Sequence, residues 1–150
     1  MKRFPLIALL VAPALLALAP APSQQARGVV ISTLFTDTTT ATSRFRTDTL
    51  DWVAVNPDVR AAYGDLTALY PATEIGFVRI PAGYHDDWHN APRKQYVMVL
   101  RGTLEVESGD GEKRIFISGD VLLVADVNGQ GHRTKVVGEE EVFLVWVPIP

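Results

Sequence analysis

Three histidines, His85, His89 and His132, are the only side chains here that ordinarily titrate near neutral pH. An imidazole supports two kinds of chemistry: ligation of a divalent metal through a neutral ring nitrogen, and proton transfer. His85-x3-His89 has the spacing of a helical zinc pair. Gly83 before it and Pro92 after it place the pair in a loop instead. Beside Asp86 and Asp87, His85 reads as a surface side chain; a loop folded inward would bring it to a site. Tyr84 and Trp88 flank the same loop, either roofing a mouth for an apolar ligand or plugging the core. Arg93 and Lys94 form either a carboxylate-orienting pair or a solvated hairpin tip. Asp126, next to Asn128-Gly129, reads as a turn former. The chain has no cysteine, which excludes thiolate metal sites, thiol nucleophiles and disulfides.

Elements that could position these residues begin at Glu74. From there the chain breaks into short β-type runs: EIGFVRI, QYVMVLRG, TLEVES, KRIFIS, DVLLVAD, HRTKVV and EVFLVWV. Gly- and Asn-containing turns separate them. Short strands at this spacing predict a sandwich or barrel, not a parallel α/β sheet. Trp146, on the last run, reads as buried packing. Upstream, Asn56-Pro57 predicts a short helix over PDVRAAYGD, with Asn56 as cap and Pro57 in the first turn. VVIST could form a short edge strand, but residues 27 to about 48 otherwise read as linker or arm, because TDTTTATSRFRTDT is polar, β-branched and without a helical stripe.

The first 26 residues have the order of an export signal: Lys2-Arg3, an apolar Leu/Ala run, then small residues. Prolines 5, 13, 20 and 22 interrupt the run, which argues against a membrane span or a stable anchor. Cleavage is expected between Ala19 and Ala26, with a periplasmic or secreted product. Loss of Lys2 and Arg3 moves the formal charge from -3 to -5. A mildly acidic domain without a basic cluster has no electrostatic footprint for nucleic acid. At 150 residues the organisation expected is signal 1–26, arm and short helix 27–69, and one barrel over 70–150.

GYHDDWHNAPRKQYVMVLRG, residues 83–102, and GDVLLVADVNGQGH, residues 119–132, resemble the two motifs of the cupin superfamily. Gly83 leads to His89 after five residues and Gln95 to Gly102 after six, while Gly119-Asp120 opens the second motif and His132 closes it. The W-H-N-A-P-R-K-Q-Y run is similar to that of small single-domain cupins. The resemblance implies an all-β fold, a double-stranded β-helix (cupin or jelly-roll barrel), whose lumen holds the site. It also implies a metal held by two His and one Glu of the first motif and one His of the second. Here those positions carry His89, Ala91, Gln95 and His132. Strand alternation then places Val97 and Val99 beside Gln95, and Thr134 and Val136 beside His132.

Replacing Glu by Gln removes the only negative charge of that ligand set, and Ala91 removes an imidazole. A metal-free lumen is therefore favoured over a bound ion. If an ion binds, Zn²⁺ or Cu²⁺ is expected ahead of Mn²⁺ or Fe²⁺, through His89, Gln95 and His132, with His85 as the candidate fourth ligand. The functional readings are three. One is a small-molecule enzyme, with His89 and His132 as catalytic residues and Tyr84, Trp88, Val97, Val99 and Thr134 in the pocket. The second is a non-catalytic ligand-binding module, and the third a structural cupin with a decayed metal site. A homodimer is expected in each case, paired through the arm and outer sheet.

Overall fold

The computed structural model describes residues 27–54 and 56–150. The expected signal segment lies outside the described residues. Among those described, no helix is long and apolar enough to cross a membrane.

Two sheets form the fold. In chain order the elements are β1 (Gly28–Asp37), β2 (Thr42–Val53), α1 (Pro57–Tyr63), β3 (Leu66–Thr67), β4 (Gly76–Ile80) and β5 (Gln95–Arg101). Then follow β6 (Leu104–Glu107), β7 (Lys113–Phe116), β8 (Val121–Ala125), β9 (Arg133–Val136) and β10 (Val142–Pro148). The larger sheet has the order β3-β2-β1-β8-β5-β10-β4, and the smaller β7-β6-β9. Their inner faces share one core, with Val97, Leu122 and Leu144 from the large sheet meeting Leu104, Val106, Phe116 and Val136 from the small one. This is the jelly-roll architecture expected.

Period-two burial explains the faces. In β6, Leu104 and Val106 are buried while Glu105 and Glu107 stand outside. In β8, Leu122 and Val124 are buried, and the same alternation carries on to Asp126, which is fully buried. All the β-type runs read from Glu74 onward are strands. The short helix is present too, with the Asn56 side chain accepting the N–H of Asp58 at 2.8 Å.

Residues 27 to about 48, expected as arm or linker, belong instead to a long antiparallel hairpin of β1 and β2. Its first strand runs parallel to β8, from Ser32 opposite Leu122 to Phe35 opposite Ala125. The hairpin contributes Leu34 and Phe45 to the core. Thr33, also buried, donates from its hydroxyl to Asp48 at 2.7 Å.

Candidate functional site

The loop from Pro81 to Asn90 runs along the open edge of β9 as an irregular extra strand. It forms antiparallel bridges at His85 with Lys135 and at His89 with His132. Between them, Asp86 N–H donates to the Thr134 carbonyl at 3.0 Å, and the Asp86 carboxylate accepts the Thr134 N–H. Gly131 makes the seam close. Its φ is +75°, and a Cβ there would collide with the His89 carbonyl.

This seam sets the two imidazoles side by side, their ring centroids 4.5 Å apart and tilted by 53°. Both line a cavity of about 330 Å³ between the sheets. The walls are apolar, including Val97, Leu104, Leu122, Val124, Leu144 and Trp146. The polar groups are few: Arg79, His89, His132, Gln95, Asp86, Thr134 and Tyr84. A mainly apolar chamber with a few convergent polar groups is the usual form of a small-molecule site.

Hydrogen bonds fix how each ring is presented. His132 Nδ1 lies 2.7 Å from Asp126 Oδ2. That carboxylate only accepts, so Nδ1 carries the hydrogen. Asp126 is anchored in turn, its carbonyl accepting the Ala91 N–H at 3.2 Å and the Asn90 side-chain amide at 3.3 Å. Its second carboxylate oxygen, Oδ1, is buried without a hydrogen-bond partner among the described residues. His89 Nδ1 donates to the Asp87 carbonyl at 2.9 Å and stands 3.6 Å from Asp86 Oδ2. The Tyr84 hydroxyl donates to that Oδ2 at 3.5 Å. Burial first, and then the Asp86 charge, push the Tyr84 phenol above its ordinary pKa, so it stays a donor.

His89, Gln95, Val97, His132, Thr134 and Tyr84 thus meet at one chamber. Val99 and Val136 are buried in the adjoining core, not on the chamber wall. His85 is turned away and lines an outer groove with Glu105, Glu107, Lys113 and Lys135, because its bridge to Lys135 faces it outward. It is not a fourth ligand in this arrangement. Trp88 is also outside the chamber, stacked beneath the Arg133 guanidinium at 5.1 Å. Arg93 is tied to Glu74 at 2.8 Å. Trp146 is half-buried and lines the chamber.

Two acids were missed by sequence reasoning. Asp126 is a partner of His132, not a turn former, and the Leu122-Val124-Asp126 alternation was the signal for it. Asp86 ties the loop to β9 and faces the chamber. Its sequence context, an acid beside another acid in a loop, held no such signal.

The donors do not fit the metal site that the cupin resemblance implies. Ala91 is buried at the chamber wall where that set has an imidazole. Gln95 offers a neutral amide where it has a carboxylate. Among the described residues no group of three or more His, Cys, Asp or Glu side chains is arranged to hold a metal. What remains is two imidazoles and one amide.

The family model described as "Cupin domain" matches residues 76–148, the stretch from β4 to β10. No curated protein matches the sequence. Among solved structures, the chain is similar to a cupin-like protein of Thermotoga maritima, with 23% identity over 50% of this chain and 55% of that one, at a TM-score of 0.43. A protein of unknown function from Rhizobium leguminosarum aligns at 24% identity over 51% of this chain and 68% of the other, TM-score 0.43. A Cupin 2 conserved barrel domain protein of Salinispora arenicola aligns at 22% identity over 48% and 60%, TM-score 0.39. The chain therefore spans little more than half the length of the Thermotoga protein. The family match is confined to the stretch from β4 to β10, whose strands lie in the two jelly-roll sheets.

Proposed function

We propose that the cupin domain of this chain binds a small organic molecule in its lumen, without needing a metal to do so. The observation that carries this is the chamber itself. Apolar walls surround a chamber that His89, His132 and Gln95 all line, while Ala91 and Gln95 leave the family's ligand set incomplete. Apolar burial supplies affinity and the polar corner supplies orientation. With the export signal expected over residues 1–26, binding takes place in the periplasm or outside the cell, and the barrel acts as a homodimer.

A second reading is favoured by one specific feature. Each imidazole has Nδ1 engaged and no protein partner on Nε2 among the described residues. Two such rings 4.5 Å apart are placed for proton transfer: one Nε2 takes a proton from the bound molecule and, as imidazolium, returns it to another of that molecule's atoms. An enzyme and a binding protein share the same chamber on this account.

The test is mass spectrometry of organic extracts from untagged protein recovered from its native compartment, with elemental analysis of the same sample. A stoichiometric small molecule, lost when Val97→Trp fills the chamber, supports the reading. A stoichiometric transition metal would overturn the metal-independent form of it. An empty chamber that also fails to take up any member of a fragment library would overturn the binding reading.

A further inference from the structure

The polarity of the chamber is set by what holds the rings from behind. His132 Nδ1 is bonded to the Asp126 carboxylate at 2.7 Å, and His89 Nδ1 to the Asp87 carbonyl at 2.9 Å. Both partners are acceptors, so in both rings the hydrogen resides on Nδ1. In a neutral imidazole Nε2 then carries a lone pair. Two hydrogen-bond acceptors therefore stand together at one corner of an apolar space. The Asp86 carboxylate lines the same corner and adds a third.

Positive groups do not offset this. Arg93 is committed to Glu74 at 2.8 Å. Arg79 also lines the chamber, but its side chain is 69% exposed and lies 3.5 Å from Glu141. The Tyr84 hydroxyl, a donor, is directed at Asp86. The amide of Gln95 and the hydroxyl of Thr134 each offer both a donor and an acceptor.

We infer that the lumen selects a neutral molecule with an apolar body and a hydroxyl group, a phenol or an alcohol, which donates to Nε2 of His89 or His132. Asp126 is the positioning residue that gives His132 this polarity. The inference rests on the lumen-binding reading and deepens it. A carboxylate ligand would meet lone pairs and the Asp86 charge. A plain hydrocarbon would cover the Nε2 atoms and leave them unpartnered, which costs affinity. A site built to hydrogen-bond a hydroxyl discriminates strongly against the analogue lacking it.

Asp126 suits this role because nothing competes for it. It is fully buried, its backbone is tied to Ala91, and one carboxylate oxygen is given wholly to His132. Exchange of that carboxylate for an amide lets the side chain donate to Nδ1, which moves the ring hydrogen to Nε2 and reverses what the ring offers.

Three probes of matched size test the inference: p-cresol, p-toluate and toluene. Their binding to the full mature chain is measured by ligand-observed NMR at about pH 8, where a free imidazole is neutral. The expected result is p-cresol binding about tenfold or more tightly than either of the others. In Asp126→Asn, nitrogen-15 spectra of the ring should show the hydrogen moved toward Nε2. The p-cresol preference should shrink several-fold while toluene affinity stays the same. A merely structural role for Asp126 would weaken all three probes alike. His89→Ala, at a half-exposed ring, gives a second variant that removes one acceptor and should also reduce the preference. If p-toluate binds as well as p-cresol, or if the preference survives Asp126→Asn, the inference is overturned. If toluene equals p-cresol, the inference fails while lumen binding stands. If none of the three binds, both fail together.

Discussion

His89 and His132 hold each other through the backbone as well as facing each other through the ring. The N–H of each donates to the carbonyl of the other at 2.9 Å in both directions. The polar corner of the chamber is thus also the seam that closes the loop onto β9. The main-chain bonds fix the spacing of the two backbones, the Nδ1 bonds to Asp87 and Asp126 hold the rings upon it, and a change in the seam is a change in the site.

Gly131 is where this link is most exposed to test. It combines a left-handed φ with main-chain contact to His89 and Asn90. Gly131→Ala is expected to lower stability by about 2 kcal/mol or more, because both strain and collision must be relieved. Thermal melts would measure the loss. Hydrogen exchange at the His89 and His132 amides should rise with it, and protection left unchanged would show that the seam does not depend on this glycine.

The incomplete ligand set leads to a gain-of-function expectation. The chain as it stands should hold Zn²⁺ or Cu²⁺ only weakly, since imidazole donors follow the ordinary affinity order and no carboxylate favours Mn²⁺ or Fe²⁺. His132→Ala should abolish that weak binding. Ala91→His with Gln95→Glu restores an imidazole and a negative charge at the chamber wall, and should raise affinity by at least about tenfold. Elemental analysis and metal titration decide. Stoichiometric Mn or Fe in the unaltered protein, or an ion that survives His132→Ala, would contradict the expectation.

What the sequence disclosed, and what it hid, follow from burial. The strands from Glu74 onward were legible because each buries every second side chain against one core, as in TLEVES. The convergence of His89, Gln95 and His132 was legible through the motif spacing. β2 was not, because it lies near the sheet margin and buries only Ser43 and Phe45, leaving TSRFRTDTLDWV with no apolar alternation to read. Asp126 was obscured by a competing turn signal, Asn128-Gly129, just downstream. Trp88, read as either a roof over the mouth or a core plug, was not legible because the loop carrying it is irregular and bridged to β9 only at isolated points.

The outer face of the small sheet sets a pH dependence. Hydrogen bonding from Lys135 is the leading influence holding the Glu105 carboxyl below its ordinary pKa, with Lys113 adding to it. Burial opposes ionisation of Glu107, but Arg133 and Lys113 outweigh it and the net direction is also downward. A carboxylate lowered on folding contributes stability that is complete above its unfolded pKa, about 4.3 for Glu. That contribution disappears as pH falls through the folded value. Lys113 is raised, chiefly by its bond to Glu107, and its contribution disappears only as pH climbs past the ordinary lysine range. Tm should therefore fall on acidification below about pH 4.3, and Glu105→Gln with Glu107→Gln should flatten that limb. An acid limb identical in the double variant would assign the effect to other carboxylates.

Association is the remaining expectation, and the large sheet says where to look. Phe77 on β4, Val145 on β10 and Met98 on β5 are register partners across three adjacent strands. Phe77 is 75% exposed and Leu100 55%, so this outward face is apolar at several neighbouring points. β4 is also the last strand of its sheet, with one edge left unpaired. Exposed apolar faces and open edges of this kind are ordinarily covered. A second copy of the same chain is the expected cover, since the patch lies on one rigid sheet and a two-fold pairing would bury it against itself. Sedimentation equilibrium should give twice the chain mass at micromolar concentration. Phe77→Asp should shift that to one chain while leaving the far-ultraviolet circular dichroism unchanged, because the residue contributes nothing to the core. A single-chain mass for the unaltered protein across the same range would rule the dimer out.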